Sequence, residues 1–115
     1  MTSSIRKLIG LRIKTFRKKE RLNQEAVAEA IGCDVTTLSR YERGEYAPDG
    51  EQLVKLAILF KVSPMDFLPG EVEISRQVIL DLRAKIVDLA YDIDDPIALQ
   101  DIVNQASRFR KLLKY

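Results

Sequence analysis

The sequence predicts an all-α protein, and three observations carry that reading. Apolar residues recur at three- and four-residue spacing along successive stretches of the chain. No sustained run of alternating β-branched residues is present. Helix-starting and helix-stopping residues stand at the ends of the periodic stretches. A chain of 115 residues has room for one compact core and an appendage, and 46% hydrophobic beside 31% charged residues is globular composition.

The first helix spans Ser4 to Arg21. Ile5, Leu8, Ile9, Arg12, Ile13 and Phe16 form its stripe, with Arg12 the one polar intruder. Asn23 is placed to cap a second helix, Gln24–Ile31, with Ala26, Val27, Ala30 and Ile31 as a small apolar face, and Gly32 stops it. Asp34 caps a third helix, Val35 to Arg43, where a carboxylate suits the positive end of the helix dipole, and Gly44 ends it. Loop residues from Glu45 to Asp49 precede a strongly apolar fourth helix containing Leu53, Val54, Leu56, Ala57, Ile58, Leu59 and Phe60. Ser63-Pro64 opens a short fifth helix whose buried face is Met65, Phe67 and Leu68, and Pro69-Gly70 closes the unit.

Beyond residue 70 the register changes. Ile79, Leu82, Ile86, Leu89 and Ile93 recur at coiled-coil intervals, as do Leu99, Ile102, Ala106, Phe109 and Leu113. Asp95-Pro96 starts the second of these helices, and the short Asp92–Asp95 link reverses the chain into an antiparallel helical hairpin. The domains expected are therefore 1–70 and 71–115. Val78, Val87, Ala90, Ile97, Val103 and Leu112 add apolar surface beyond the two seams, so a partner is needed. Self-association answers that need, since two hairpins make a four-helix bundle; packing of the second face onto the first domain is the alternative.

Composition excludes most chemistry. With no histidine, no tryptophan and one cysteine, the chain lacks the parts for a His/Cys metal cluster, a disulfide framework or a nucleophile–histidine pair. Neither a glycine-rich phosphate loop nor a glycine-punctuated calcium loop around Asp94-Asp95 is present. No catalytic residue, cofactor or metal is expected. There is no 18-residue uncharged apolar run, and the first seven residues lack the apolar stretch of a signal peptide, so a soluble cytoplasmic protein without a membrane partner is expected.

A net charge of +2 implies little by itself, but its distribution is uneven. Residues 1–70 hold twelve basic and nine acidic side chains, against seven and eight in residues 71–115. In the first 21 residues eight basic side chains oppose only Glu20. Such a run reads either as a solvated helix face or as a surface for phosphates.

The segment Asn23 to Gly44, a short helix, a glycine-centred turn and a capped helix, has the spacing of a helix-turn-helix. Leu22-Asn23-Gln24-Glu25-Ala26-Val27-Ala28, Ile31-Gly32, Leu38-Ser39-Arg40-Tyr41-Glu42-Arg43-Gly44 and Pro48 resemble the phage-repressor/Cro-like family, also called xenobiotic-response-element regulators. Leu53–Ala57 and Val62–Leu68 are similar to that family's fourth and fifth helices, and the resemblance covers roughly residues 6–68. It implies a five-helix, lambda-repressor-like DNA-binding domain. The helical tail is similar to that of SinR-type regulators in architecture only.

The resemblance also implies roles. Val35, Thr36, Thr37 and Arg40 stand where such repressors face base edges, Arg40 with two donors for guanine. Val35 departs from the polar residue many relatives have there. Gln24, Ser39, Arg43, Tyr46, Arg17 and Lys19 stand at phosphate-contacting positions, and the glutamine is also placed to brace a side chain of the recognition helix. Leu38, Tyr41 and Ala28 are read as core. Glu42 is read as a structural partner for a first-helix arginine such as Arg12, and Cys33 as a buried small hydrophobe, with redox sensing as the alternative.

The function implied is sequence-specific binding of double-stranded DNA by a transcriptional regulator. A repressor is favoured over an activator, acting as a homodimer or tetramer on a palindromic operator. Ile79, Leu82, Ile86, Leu89, Ile102, Phe109 and Leu113 are the expected dimerisation residues. Two alternatives stay open: an antitoxin whose tail receives a second protein, and a protein-interaction adaptor that keeps the fold without binding DNA.

Overall fold

The computed structural model describes residues 2–113, with the side chains of residues 4–113. Among the described residues six α-helices follow one another: α1 (Thr2–Lys19), α2 (Gln24–Ile31), α3 (Val35–Glu42), α4 (Gly50–Phe60), α5 (Glu71–Tyr91) and α6 (Pro96–Leu112). A 3-10 turn over Pro64–Phe67 lies between α4 and α5. No strand occurs among the described residues. The chain divides into two compact units, Met1–Ile79 and Leu80–Tyr115. The division falls inside α5, not before it, so the first turns of α5 belong to the first unit.

That first unit is built around Ile9, Ile13, Val27, Ala28, Ile31, Leu38, Leu56, Ala57, Phe60 and Phe67, all buried. Phe16 meets the Phe67 ring edge-on at 5.4 Å and the Phe60 ring at 6.3 Å, which ties α1, α4 and the 3-10 turn together. The expected caps form. Asn23 and Asp34 accept the amides of Ala26 and Thr37, and Ser63 and Asp66 make a reciprocal capping box. Asp49 caps α4 in the same way, accepting from Gln52.

Three expectations about burial change. On α2 the buried face is Val27, Ala28 and Ile31, whereas Ala26 and Ala30 are exposed. On α4, Ile58 is 73% exposed and Val54 is also exposed, because one helix face is enough to reach the core. The short fifth helix is the 3-10 turn, and of its three expected core residues only Phe67 is buried; Met65 and Leu68 face outward. Pro64 and the capping box satisfy one turn, and Leu68, held extended before Pro69, ends it there.

In the second unit Asp95 accepts from the Ile97 amide and Pro96 opens α6, as expected. The expected hairpin seam, however, is not closed within one chain. α5 and α6 make at most slight contact with each other, and neither has a buried residue. Periodicity identifies the apolar face of each helix and leaves open what covers it.

Candidate nucleic-acid interface

Between α2 and α3 the chain must turn within three residues. Gly32 does so at φ 76°, a left-handed conformation that costs glycine nothing, while its amide and that of Cys33 return to carbonyls of α2. Asp34 then starts α3. Its carboxyl is held below the usual carboxylate range by hydrogen bonds from Thr37, so it stays ionised at the positive helix end.

Two side chains fix the inner face of α3. Leu38 is fully buried, and Glu42 is buried with three donors on it: Arg17 Nε at 2.6 Å, Arg17 Nη2 at 3.1 Å and Gln24 Nε2 at 3.0 Å. Arg17 also donates to the Leu22 carbonyl at 3.0 Å. One carboxylate thus joins α1, α2 and α3. A third fixing point is backbone on backbone: a Cβ on Gly10 would strike the Tyr41 carbonyl oxygen and lie 2.7 Å from that of Glu42. Gly44 gives the same close approach against Lys7.

The partner of Glu42 is therefore Arg17, not Arg12. Five residues separate the two arginines, so they leave α1 on different sides. Arg12 instead donates to the carbonyls of Asp66 and Leu68 and, bidentately, to Glu73 at the start of α5. Those bonds hold the Glu73 carboxyl below its usual range, with help from the Gly70 amide. Arg17, expected at a phosphate, has its guanidinium largely buried and committed to Glu42 and Leu22. Gln24 does brace a side chain of α3, namely Glu42.

The outer side of α3 presents the remaining residues. Val35, Thr36 and Arg40 are exposed. Thr37 is half-buried and lines a cavity of about 590 Å³ with Ile5, Arg6, Ile9, Tyr41, Tyr46 and Ala47, which makes it the least accessible of the four. Ser39 is half-buried, while Arg43, Tyr46 and Lys19 are exposed. Tyr41 is partly buried against the core, and that burial pushes its hydroxyl pKa up. Cys33 packs against the core as expected, and burial together with the Asp34 charge raises its thiol pKa, which disfavours the reactive thiolate.

Two participants escaped the sequence reading. Glu45 ion-pairs with Arg43 and stands near Arg40, and Gly10 permits the α1–α3 approach. An acidic residue set two positions after Arg43 and one before Tyr46 was the available signal for Glu45. Gly10, a residue without a side chain next to Ile9 of the α1 stripe, was the signal for the close approach.

Residues 13–67 match the helix-turn-helix family. The chain is 34% identical over 62 residues to an HTH-type transcriptional regulator of Bacillus subtilis, YazB, covering 54% of this chain and 90% of that one. The chain belongs to the Cro/C1-type helix-turn-helix family. This helix-turn-helix protein is also 37% identical over 82 residues to the regulator ImmR of Bacillus subtilis, covering 71% of this chain and 64% of ImmR's length. Among solved structures, the c2 repressor of Salmonella phage P22 bound to a synthetic operator aligns at TM-score 0.52 and 36% identity, over 56% of this chain and 97% of that one. This helix-turn-helix protein spans 30% of the full-length P22 repressor. Such a family is one of regulators, not enzymes. No helix among the described residues is long and apolar enough to cross a membrane.

Proposed function

We propose that this protein is a sequence-specific transcriptional repressor that inserts the amino-terminal part of α3 into the major groove of double-stranded DNA. The observation that carries the reading is the two-sidedness of α3. Leu38 and Glu42 lock one side to the core, and Val35, Thr36 and Arg40 project from the other. A rigid mount is what base reading needs, because a bidentate contact to guanine tolerates little misplacement.

In this reading Arg40 addresses a guanine, Val35 a thymine methyl, and Thr36 and Thr37 neighbouring base edges. Gln24, Ser39, Arg43, Tyr46 and Lys19 contact phosphates around them. Arg17 acts from behind, by holding Glu42. The resemblance to a repressor solved on its operator supports this assignment. With duplex DNA as its ligand, the protein acts where the DNA lies, and a cytoplasmic location agrees with this reading.

One such domain reads too few base pairs to select a site among genomic competitors, so a symmetric dimer on a palindromic operator follows. The tail supplies the means. Ile79, Leu82, Ile86, Leu89, Ile102, Phe109 and Leu113 are all at least 40% exposed in one chain, apolar surface that calls for a partner. A second copy covers it, and a tetramer extends the same bundle. If the tail instead receives a different protein, the purified chain stays monomeric, as an antitoxin waiting for its toxin would.

Selection of bound sites from random duplex DNA, with sedimentation of the same sample, tests the proposal. Enriched inverted half-sites about one helical turn apart are expected from a dimer. Absence of any enriched sequence, or binding indifferent to salt, overturns it in favour of an adaptor role.

A further inference from the structure

Glu45, in the loop after α3, engages two arginines at once. Its carboxylate accepts a hydrogen bond from Arg43 Nη2 at 3.0 Å and lies 3.9 Å from Arg40 Nε. The Arg40 guanidinium in turn stands 5.5 Å above the Tyr46 ring. These side chains are close to half exposed, and exposed ion pairs of this kind add little to folding stability. A carboxylate on a surface that meets phosphates is also repelled by them. Its effect is therefore to be sought in the docked state.

We propose that Glu45 is a positioning residue that sets sequence specificity by withholding Arg40 from phosphates. The inference rests on the DNA-binding reading above. On a random sequence a phosphate offers Arg40 an anion, but Glu45 already supplies one, so little is gained by the exchange. A guanine is different. Its O6 and N7 give Arg40 two directed acceptors, whereas Glu45 at 3.9 Å gives that side chain charge without a hydrogen bond. Tyr46 keeps the guanidinium stacked in the meantime, so fewer rotamers are lost when it moves to the base. The carboxylate thus weakens non-specific contact more than operator contact.

The test compares full-length wild type, Glu45→Gln and Glu45→Asp on a selected operator and on random duplex DNA across a salt series. Glu45→Gln is expected to tighten random-DNA binding about two- to five-fold and operator binding by less, so that the ratio of the two falls. Its salt dependence on random DNA steepens by about one phosphate equivalent. Glu45→Asp, which keeps the charge on a shorter stem, falls between the two. Equal tightening on both DNAs, or no change on either, overturns the proposal. So does a changed base preference in Glu45→Gln, which makes Glu45 a direct reader of cytosine. A wild-type protein that binds neither DNA removes the DNA-binding reading itself, an outcome distinct from the others.

Discussion

Arg17 and Glu42, 25 residues apart in sequence, form a buried pair in which Nε donates at 2.6 Å and Nη2 at 3.1 Å to one carboxylate. Their side chains keep only 12% and 3% of their exposure. Because Gln24 donates to the same carboxylate, the pair fixes α3 against both helices behind it. Breaking a buried pair from one side strands the other charge. Glu42→Leu is therefore expected to destabilise the protein by about 3–5 kcal/mol in denaturant unfolding. Arg17→Met with Glu42→Leu removes both charges and recovers much of that loss. A double variant as unstable as the single one would show that the pair's charge is not what matters.

Gly10 sets how closely α1 approaches the end of α3. Gly10→Ala places a methyl group against the Tyr41 and Glu42 carbonyls, which belong to backbone and cannot swing away. A loss of about 1–3 kcal/mol is expected from this overpacking. Gly50→Ala is the control, since nothing lies within 4 Å of its Cβ position. It is expected to be neutral or slightly stabilising, and thermal melts of the two variants separate close approach from glycine content.

Local chemistry explains why so many helix starts were legible. Asn23, Asp34, Ser63 and Asp95 each cap an amide two or three residues away, so their roles are written within a short window. The partner of Glu42 was not legible, because Arg6, Arg12 and Arg17 all leave the same helix and the choice depends on how α1 crosses α3. Gly10 governs that crossing, and its effect exists only in three dimensions. At the site, the exposure of Val35, Thr36 and Arg40 follows from helix phase with Leu38 in the core. For Glu45 the sequence shows only the nearness to Arg43; its approach to Arg40 comes from the way the loop folds back on α3. In the tail the stripes were legible and their covering was not, since a period names a face without naming its neighbour.

Arg40 and Arg43 separate base reading from phosphate contact. Arg40→Ala should cost about 1–3 kcal/mol on the operator and relax preference at a single base pair. Arg43→Ala should weaken operator and random DNA alike and reduce the salt slope by about one. Equal losses on both DNAs for Arg40→Ala would remove it from base reading. Titrations on operator, single-mismatch and random duplexes give the comparison.

Glu73 makes stability depend on acid. Arg12 and the Gly70 amide favour its ionised form, so its folded pKa lies below the unfolded one. Its contribution is complete above the unfolded value and is lost as pH falls through the folded value. Wild type should therefore exceed Glu73→Gln in thermal midpoint at neutral pH and converge with it in strong acid. A gap that widened on acidification would reverse the sign and sink the assignment.

The tail prediction follows from exposure on one face of α5. Ile86 is 60% exposed and Leu89 is 54% exposed in a single chain. Ile86→Glu puts a charge where a second copy would bury it, and a buried unpaired charge is intolerable at such a seam. Since neither helix buries a residue within one chain, the substitution has no monomer core to damage. Sedimentation should show the wild-type oligomer dissociating to monomers, with helix content by circular dichroism unchanged. Operator affinity should fall toward that of an isolated half-site, because the second half-site no longer acts at a high effective concentration. Monomers with undiminished operator affinity would assign the tail to another partner, and an undisturbed oligomer would place the self-association surface elsewhere.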